Sequence, residues 1–237
     1  MFNFAGLRVM WNLGDQASAA FRSEVHKLWY EPVTSAPTRK QECIHLVKTE
    51  MTDILAYHYA ERTHNASVKA EVEDIAKRIK NAFQGMFLNN SWIDSGKKDA
   101  LLDKLNKTRI RVGYPDGLIN ASLMEQLYDY VPHISVNTTF VEIWHNVSEG
   151  RFRRELKKFR DPYSEHEIWY ESVAVADAFY VPIDNKVEVP WGSLQSPLFD
   201  YGLPSSINFG ATGATIGHEI AHAFDALGEY TQKYVYS

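Results

Sequence analysis

The chain has 237 residues, 45% of them hydrophobic, enough to bury a substantial core as one large domain or two smaller ones. Its formal net charge of -5 and the scattered placement of Lys and Arg give no basic stripe, which argues against nucleic acid as a partner. No apolar run is long enough for a membrane span, and the N-terminal "MFNFAGLRVMWNLG" lacks a basic leader and is interrupted by Arg8, so no signal peptide is visible either.

Residues before about 35 contribute little to the reading. From about 38 to 165 the pattern is helical. Thr38 can cap a helix running to about Glu61, and Val68, Val72, Ile75, Ile79, Phe83 and Met86 mark a second at three- and four-residue spacing. Asp94 or Ser95 can cap "GKKDALLDKLNK", a strand-like "RIRVGYP" leads into a Pro-Asp-Gly turn at 115–117, and two more helices fill 120–160. The basic run "RFRRELKKFR", Arg151 to Arg160, reads as the solvated face of one of them. Near residue 170 the texture changes. "SVAVADAFYVP" and "NKVEVP" are rich in Val and aromatics, alternate in polarity and flank "IDN", as a β-hairpin does, with Pro182 and Pro190 at edge or end positions. Such a strand edge can pair with an extended peptide, or the hairpin can simply close the core.

"ATIGHEIAHAFD", residues 214–225, contains His-Glu-x-x-His at His218, Glu219 and His222. With nine His and seventeen Glu, chance alone produces the pattern in about one such sequence in forty. The context adds to it: Ile216, Ile220, Ala223, Phe224 and Leu227 recur at helical spacing and Gly228 supplies a stop. A helix brings residues four apart onto one face, so both imidazoles can reach one metal ion while Glu219 acts on a bound water. Two histidines satisfied within a helical core are the bland alternative.

Six Asn, at 65, 89, 106, 120, 137 and 146, each precede Ser or Thr by two residues with no Pro between, where about one or two such matches are expected by chance. N-glycosylation of Asn65, Asn89, Asn106, Asn120, Asn137 and Asn146 would leave the motif-bearing remainder clear of sugar. Cys43 is the one cysteine, with a partner outside this chain or none, as a small buried hydrophobe.

"DAFYVPIDNKVEVPWGSLQSPLF" followed by "NFGATGATIGHEIAHAFD" resembles the neprilysin and endothelin-converting-enzyme family of zinc metallopeptidases. That family pairs an Asn-Ala-Phe-Tyr strand with a Pro-x-Gly-x-Leu-Gln segment and the zinc helix. Upstream, "SWIDSGKKDALLDKLNKTRIRVGYPDG" is similar to the same family's helical domain, including its Gly-Tyr-Pro-Asp turn at 113–116. The resemblance covers roughly residues 35–230. It implies a mainly α-helical protein with a small β-hairpin region: residues 1–165 as a helical domain piece, 166–237 as the start of a thermolysin-like catalytic domain. It implies one zinc ion, with His218 and His222 as ligands and Glu219 as general base, and Asp177, Ala178 and Tyr180 on the strand that aligns substrate. It further implies short peptide substrates and an extracellular or cell-surface parent, secreted or of type II membrane topology.

Asp225, seven residues from His218, lies near the ligand face and could orient an imidazole, or be an ordinary surface or capping aspartate. Two departures from the family pattern matter. Asp177 stands where the family has Asn; an ionised Asp can accept but cannot donate, which should weaken or change substrate alignment. The family's third ligand, a Glu in Glu-x-x-x-Asp, and its downstream Arg and His have no counterpart in the fifteen residues after His222, where the carboxylates are Asp225 and Glu229. Two histidines alone bind zinc weakly. The sequence therefore supports a zinc metalloendopeptidase seen as a fragment, or a short inactive relative that binds peptide. A third reading, an intracellular helical scaffold with an accidental motif, predicts no glycan at Asn65 or Asn120.

Overall fold

A computed structural model describes residues 2–30, 37–115, 117–131, 135–157, 159, 160, 169, 171–225 and 228. Asp116 of the expected Pro-Asp-Gly turn, Leu227 and Glu229 lie outside these. The described chain is mainly helical, with one small mixed sheet. Its helices are α1 (Phe2–Ala17), α2 (Ala19–Tyr30), α3 (Arg39–Glu50), α4 (Thr52–Thr63), α5 (Ala66–Asn89), α6 (Ser95–Lys107), α7 (Ala121–Leu127), α8 (Phe140–Lys157), α9 (Ser205–Asn208) and α10 (Ala214–His222). The strands are β1 (Arg109–Gly113), β2 (Phe179–Val181) and β3 (Lys186–Pro190).

The chain forms two compact units, neither contiguous in sequence: residues 1–55 with 120–164, and residues 56–119 with 165–237. Residues 56–119 thus fall with the motif-bearing segment, whereas sequence texture places its break near 165. The physical reason is the sheet, because β1 pairs parallel with β3 across 76 intervening positions of register, from Arg109 opposite Lys186 to Gly113 opposite Pro190.

In the first unit, Thr38 caps α3 with a full capping box: its side chain accepts from the Gln41 amide while the Gln41 side chain accepts from the Thr38 N–H. The helix expected to continue to Glu61 breaks at Met51, whose backbone leaves helical space at φ -127, ψ 44. The interruption leaves the first amides of α4 without intrahelical acceptors, and Tyr128 Oη takes the Ile54 N–H at 3.3 Å. The basic run is less solvated than expected. Arg154 pairs with Asp53 at 2.9 Å and Arg151 approaches the buried Glu50 at 3.3 Å, whereas Arg153 stays exposed and pairs with Glu149 one turn away.

In the second unit, Asn65 caps α5 and Asp94 caps α6. Val68, Val72, Ile75 and Ala76 of α5 are buried at the spacing of one helical face. The expected hairpin is present: β2 and β3 run antiparallel, Tyr180 opposite Val187, joined through a 3₁₀ turn at Pro182–Asp184 and Asn185 in the left-handed region at φ 45. β3 is central, so the order is β1-β3-β2 and β2 is an edge. The alternation in "NKVEVP" does not mark a wet face, because all five residues of β3 are buried. Lys186 and Glu188 neutralise each other instead, Nζ to Oε1 2.8 Å, with Asp184 Oδ2 at 3.2 Å. At the end of β1, Gly113 takes φ +91 with Trp191 packed against it, a conformation that a side chain would strain.

Candidate metal centre

The chain from Ser205 to His222 is helical throughout, but Phe209–Gly213 forms a π-helical segment between α9 and α10. Such insertions shift the phase of the turns that follow. Here the result is an α10 whose Ile216 and Ile220 are fully buried against α5, β2 and β3 while His218 reaches the surface. Gly213 packs near Ile75 and Ile79 of α5, which brings the two helices close.

Regular helix ends at His222, earlier than the apolar pattern through Phe224 and Leu227 suggests. Ala223 and Phe224 donate to the carbonyls of Ile220 and Ala221, a tightened last turn. Phe224 then packs on Phe83 and Phe87, with centroids 6.4 and 4.9 Å away. Asp225 folds back over the turn: its Oδ2 lies 2.7 Å from His222 Nδ1 and its Oδ1 accepts the Gly228 N–H at 2.8 Å. A carboxylate can only accept, so His222 carries its proton on Nδ1 and turns the Nε2 lone pair outward.

That lone pair meets His218. The two Nε2 atoms are 3.0 Å apart and the rings stand edge to face at 87°. Two imidazole lone pairs repel at this distance unless a proton or a cation lies between them. The separation is one that two zinc–nitrogen bonds of about 2.0–2.1 Å can span, so the donor pair fits zinc. Among the described residues, the group able to hold a metal is His218, Glu219 and His222, with ligand atoms within 4.8 Å of one another.

Glu219 is 8% exposed, and its Oε2 accepts the Tyr180 N–H from β2 at 2.7 Å. Burial raises its pKa above the ordinary carboxylate value, against the opposing pull of the Tyr180 N–H and of the two imidazoles. The bond also shows that Tyr180 N–H points away from β3, along the outer edge of β2.

These groups line a cleft of about 710 Å³, with Asp177, Ala178 and Tyr180 on one wall and His218, Glu219, His222 and Asp225 on another. Asp177 and Ala178 immediately precede β2; Asp177 Oδ1 accepts its neighbour's N–H at 2.9 Å and Ala178 is buried. The structure thus brings together every residue that the sequence offered for metal, base and strand. Sequence reasoning missed the supports. Tyr180 Oη donates to Asn185 Oδ1, Asn185 Nδ2 donates to the Lys104 carbonyl, and Lys104 Nζ donates to the Gly228 carbonyl at 2.8 Å. The one available signal was a lysine three positions after Leu101 and next to Leu105, at the apolar spacing of α6.

Comparison with known proteins agrees with this geometry. Two family profiles, both described as Peptidase family M13, match residues 2–115 and 177–234, together more than half of the chain. The chain belongs to peptidase family M13, a family of zinc metallopeptidases that includes the neprilysins. It is 29% identical over 234 residues to neprilysin-1 of Trittame loki, covering 97% of this chain and 32% of that protein. It is 29% identical over 200 residues to membrane metallo-endopeptidase-like 1 of Mus musculus, covering 84% of this chain and 26% of that protein. Among solved structures it resembles the Mycobacterium tuberculosis zinc metalloprotease ZMP1 in complex with inhibitor, with a TM-score of 0.72 and 25% identity over 90% of this chain and 31% of that one. The chain therefore spans about a third or less of the length of these relatives.

Proposed function

We propose that this chain carries the zinc-binding pair and the general base of a metalloendopeptidase that hydrolyses short peptides. The observation that carries the reading is the convergence of the His218 and His222 Nε2 atoms, 3.0 Å apart, beside a buried glutamate and the edge strand β2 in one cleft. Zinc, when bound there, acidifies water and polarises the scissile carbonyl. Glu219 takes the proton from the attacking water and delivers it to the leaving amine. Burial, which raises its pKa, helps Glu219 to hold the proton between the two transfers. The Tyr180 N–H fixes which carboxylate oxygen stays against β2 and which remains for the proton. The segment Asp177–Tyr180, which leads into the edge strand β2, aligns an extended peptide, and Asp177 accepts from its N–H groups.

The native gene product is expected to cleave an internally quenched short peptide, to stop when a zinc chelator is added, and to recover with zinc. Peptide binding without any cleavage would leave a peptide-binding relative as the better reading. Cleavage indifferent to chelation would remove zinc from the account.

The same resemblance supports an extracellular or cell-surface location. No helix of the described residues is long and apolar enough to cross a membrane. Asn65, Asn89, Asn106, Asn120 and Asn137 are exposed and Asn146 is half-buried. Asn65 and Asn120 use their Oδ1 atoms as helix caps, which leaves the side-chain amide nitrogen free for a glycan. A glycopeptide map of the secreted or surface-displayed protein should find these two occupied; both bare would count against that location.

A further inference from the structure

The geometry points to Lys104 as a positioning residue of the metal centre, acting on His222 through Gly228 and Asp225. The inference rests on His222 being a metal ligand. Lys104 projects from α6, 118 positions before His222 in sequence, and is 5% exposed. A buried ammonium is costly unless its protons find acceptors. Here Nζ donates to the Gly228 carbonyl at 2.8 Å and lies 5.9 Å from the centre of the Phe224 ring. The Gly228 N–H in turn donates to Asp225 Oδ1 at 2.8 Å, and Asp225 Oδ2 meets His222 Nδ1 at 2.7 Å. Each link is within hydrogen-bond distance, so the orientation of the imidazole depends on where Lys104 holds the backbone of residue 228.

Gly228 is suited to this place by its lack of a side chain. A Cβ there would stand 2.3 Å from the His222 carbonyl oxygen and 2.6 Å from that of Ala223. The chain after α10 thus folds back onto the last carbonyls of the motif helix more closely than any other residue could. Lys104 supplies a positive charge beside that C-terminal turn, where the helix dipole favours it. Its own carbonyl accepts from Asn185 Nδ2, and Asn185 Oδ1 accepts from Tyr180 Oη, so one residue of α6 anchors both the metal side and the β2 side of the cleft.

The test is the zinc dissociation constant of the full native gene product, read by competition with a chromophoric chelator. Lys104→Met, which keeps the stem and removes the donor, is expected to weaken zinc binding about tenfold, in the range for groups that support metal ligands. Gly228→Ala should weaken it comparably without touching the lysine. In an Asp225→Ala background Lys104→Met should add no further loss, because the route to His222 is already cut. A merely structural lysine would weaken both backgrounds equally. Wild-type affinity in folded Lys104→Met, or in folded Gly228→Ala if the lysine variant does not fold, overturns the proposal, as does full additivity with Asp225→Ala. His222→Ala serves as the reference: if it still binds zinc with wild-type affinity, the reading of His222 as a ligand fails, and that failure is distinct from failure of the Lys104 route.

Discussion

Glu219→Gln in the native gene product is expected to lower peptide cleavage by about 10²–10⁴-fold while leaving the fold and the metal in place. The substitution is nearly isosteric, and the amide oxygen can still accept the Tyr180 N–H that the carboxylate accepts at 2.7 Å. The wall between α10 and β2 therefore has no reason to move. What disappears is the capacity to carry a proton from water to the leaving amine; of the other carboxylates described in the cleft, Asp225 is held by His222 and Gly228, and Asp177 Oδ1 accepts the Ala178 N–H. Cleavage at the wild-type rate by the glutamine variant would sink the mechanism.

Ile220→Ala should have the largest effect on stability, about 2–5 kcal/mol. Ile220 has no exposed surface and lies on the face of α10 that packs against α5, β2 and β3. Removing its outer carbons opens a cavity in the layer that holds Glu219 against β2, and the surrounding helix and strands can collapse into it only in part. Denaturant unfolding of the metal-free protein measures the loss, and a change below about 1 kcal/mol would show that this face is not the core it is described to be. Zinc affinity should fall in parallel, because a ligand that binds the folded state shares its linkage with folding.

Local chemistry made much of the fold legible. Thr38 announced the start of α3, and the apolar stripe of α5 and the polar capping residue of α6 marked theirs. The spacing of His218 and His222 by itself places two imidazoles on one helical face. The misreadings arise where distant contacts override local pattern. The break at Met51 leaves amides that a tyrosine 74 residues away helps to satisfy. Lys186 and Glu188 alternate with valines as on a half-exposed strand, yet they are buried as a pair on β3, the strand with neighbours on both sides. The parallel pairing of β1 with β3 and the reach of Lys104 to Gly228 join segments that no periodicity connects. The end of α10 is the same case on a smaller scale, since Asp225 turns back to His222 where apolar spacing alone would continue the helix.

The decisive measurement for the metal centre is the zinc content of four purified proteins: the native gene product, His218→Ala, His222→Ala and Glu219→Gln, each equilibrated with limiting zinc. One zinc ion is expected in the native protein and in Glu219→Gln, with a large loss from both histidine variants. Zinc lost from Glu219→Gln would make the glutamate a ligand instead of a base, and zinc retained at wild-type affinity by either histidine variant would contradict the metal centre described above.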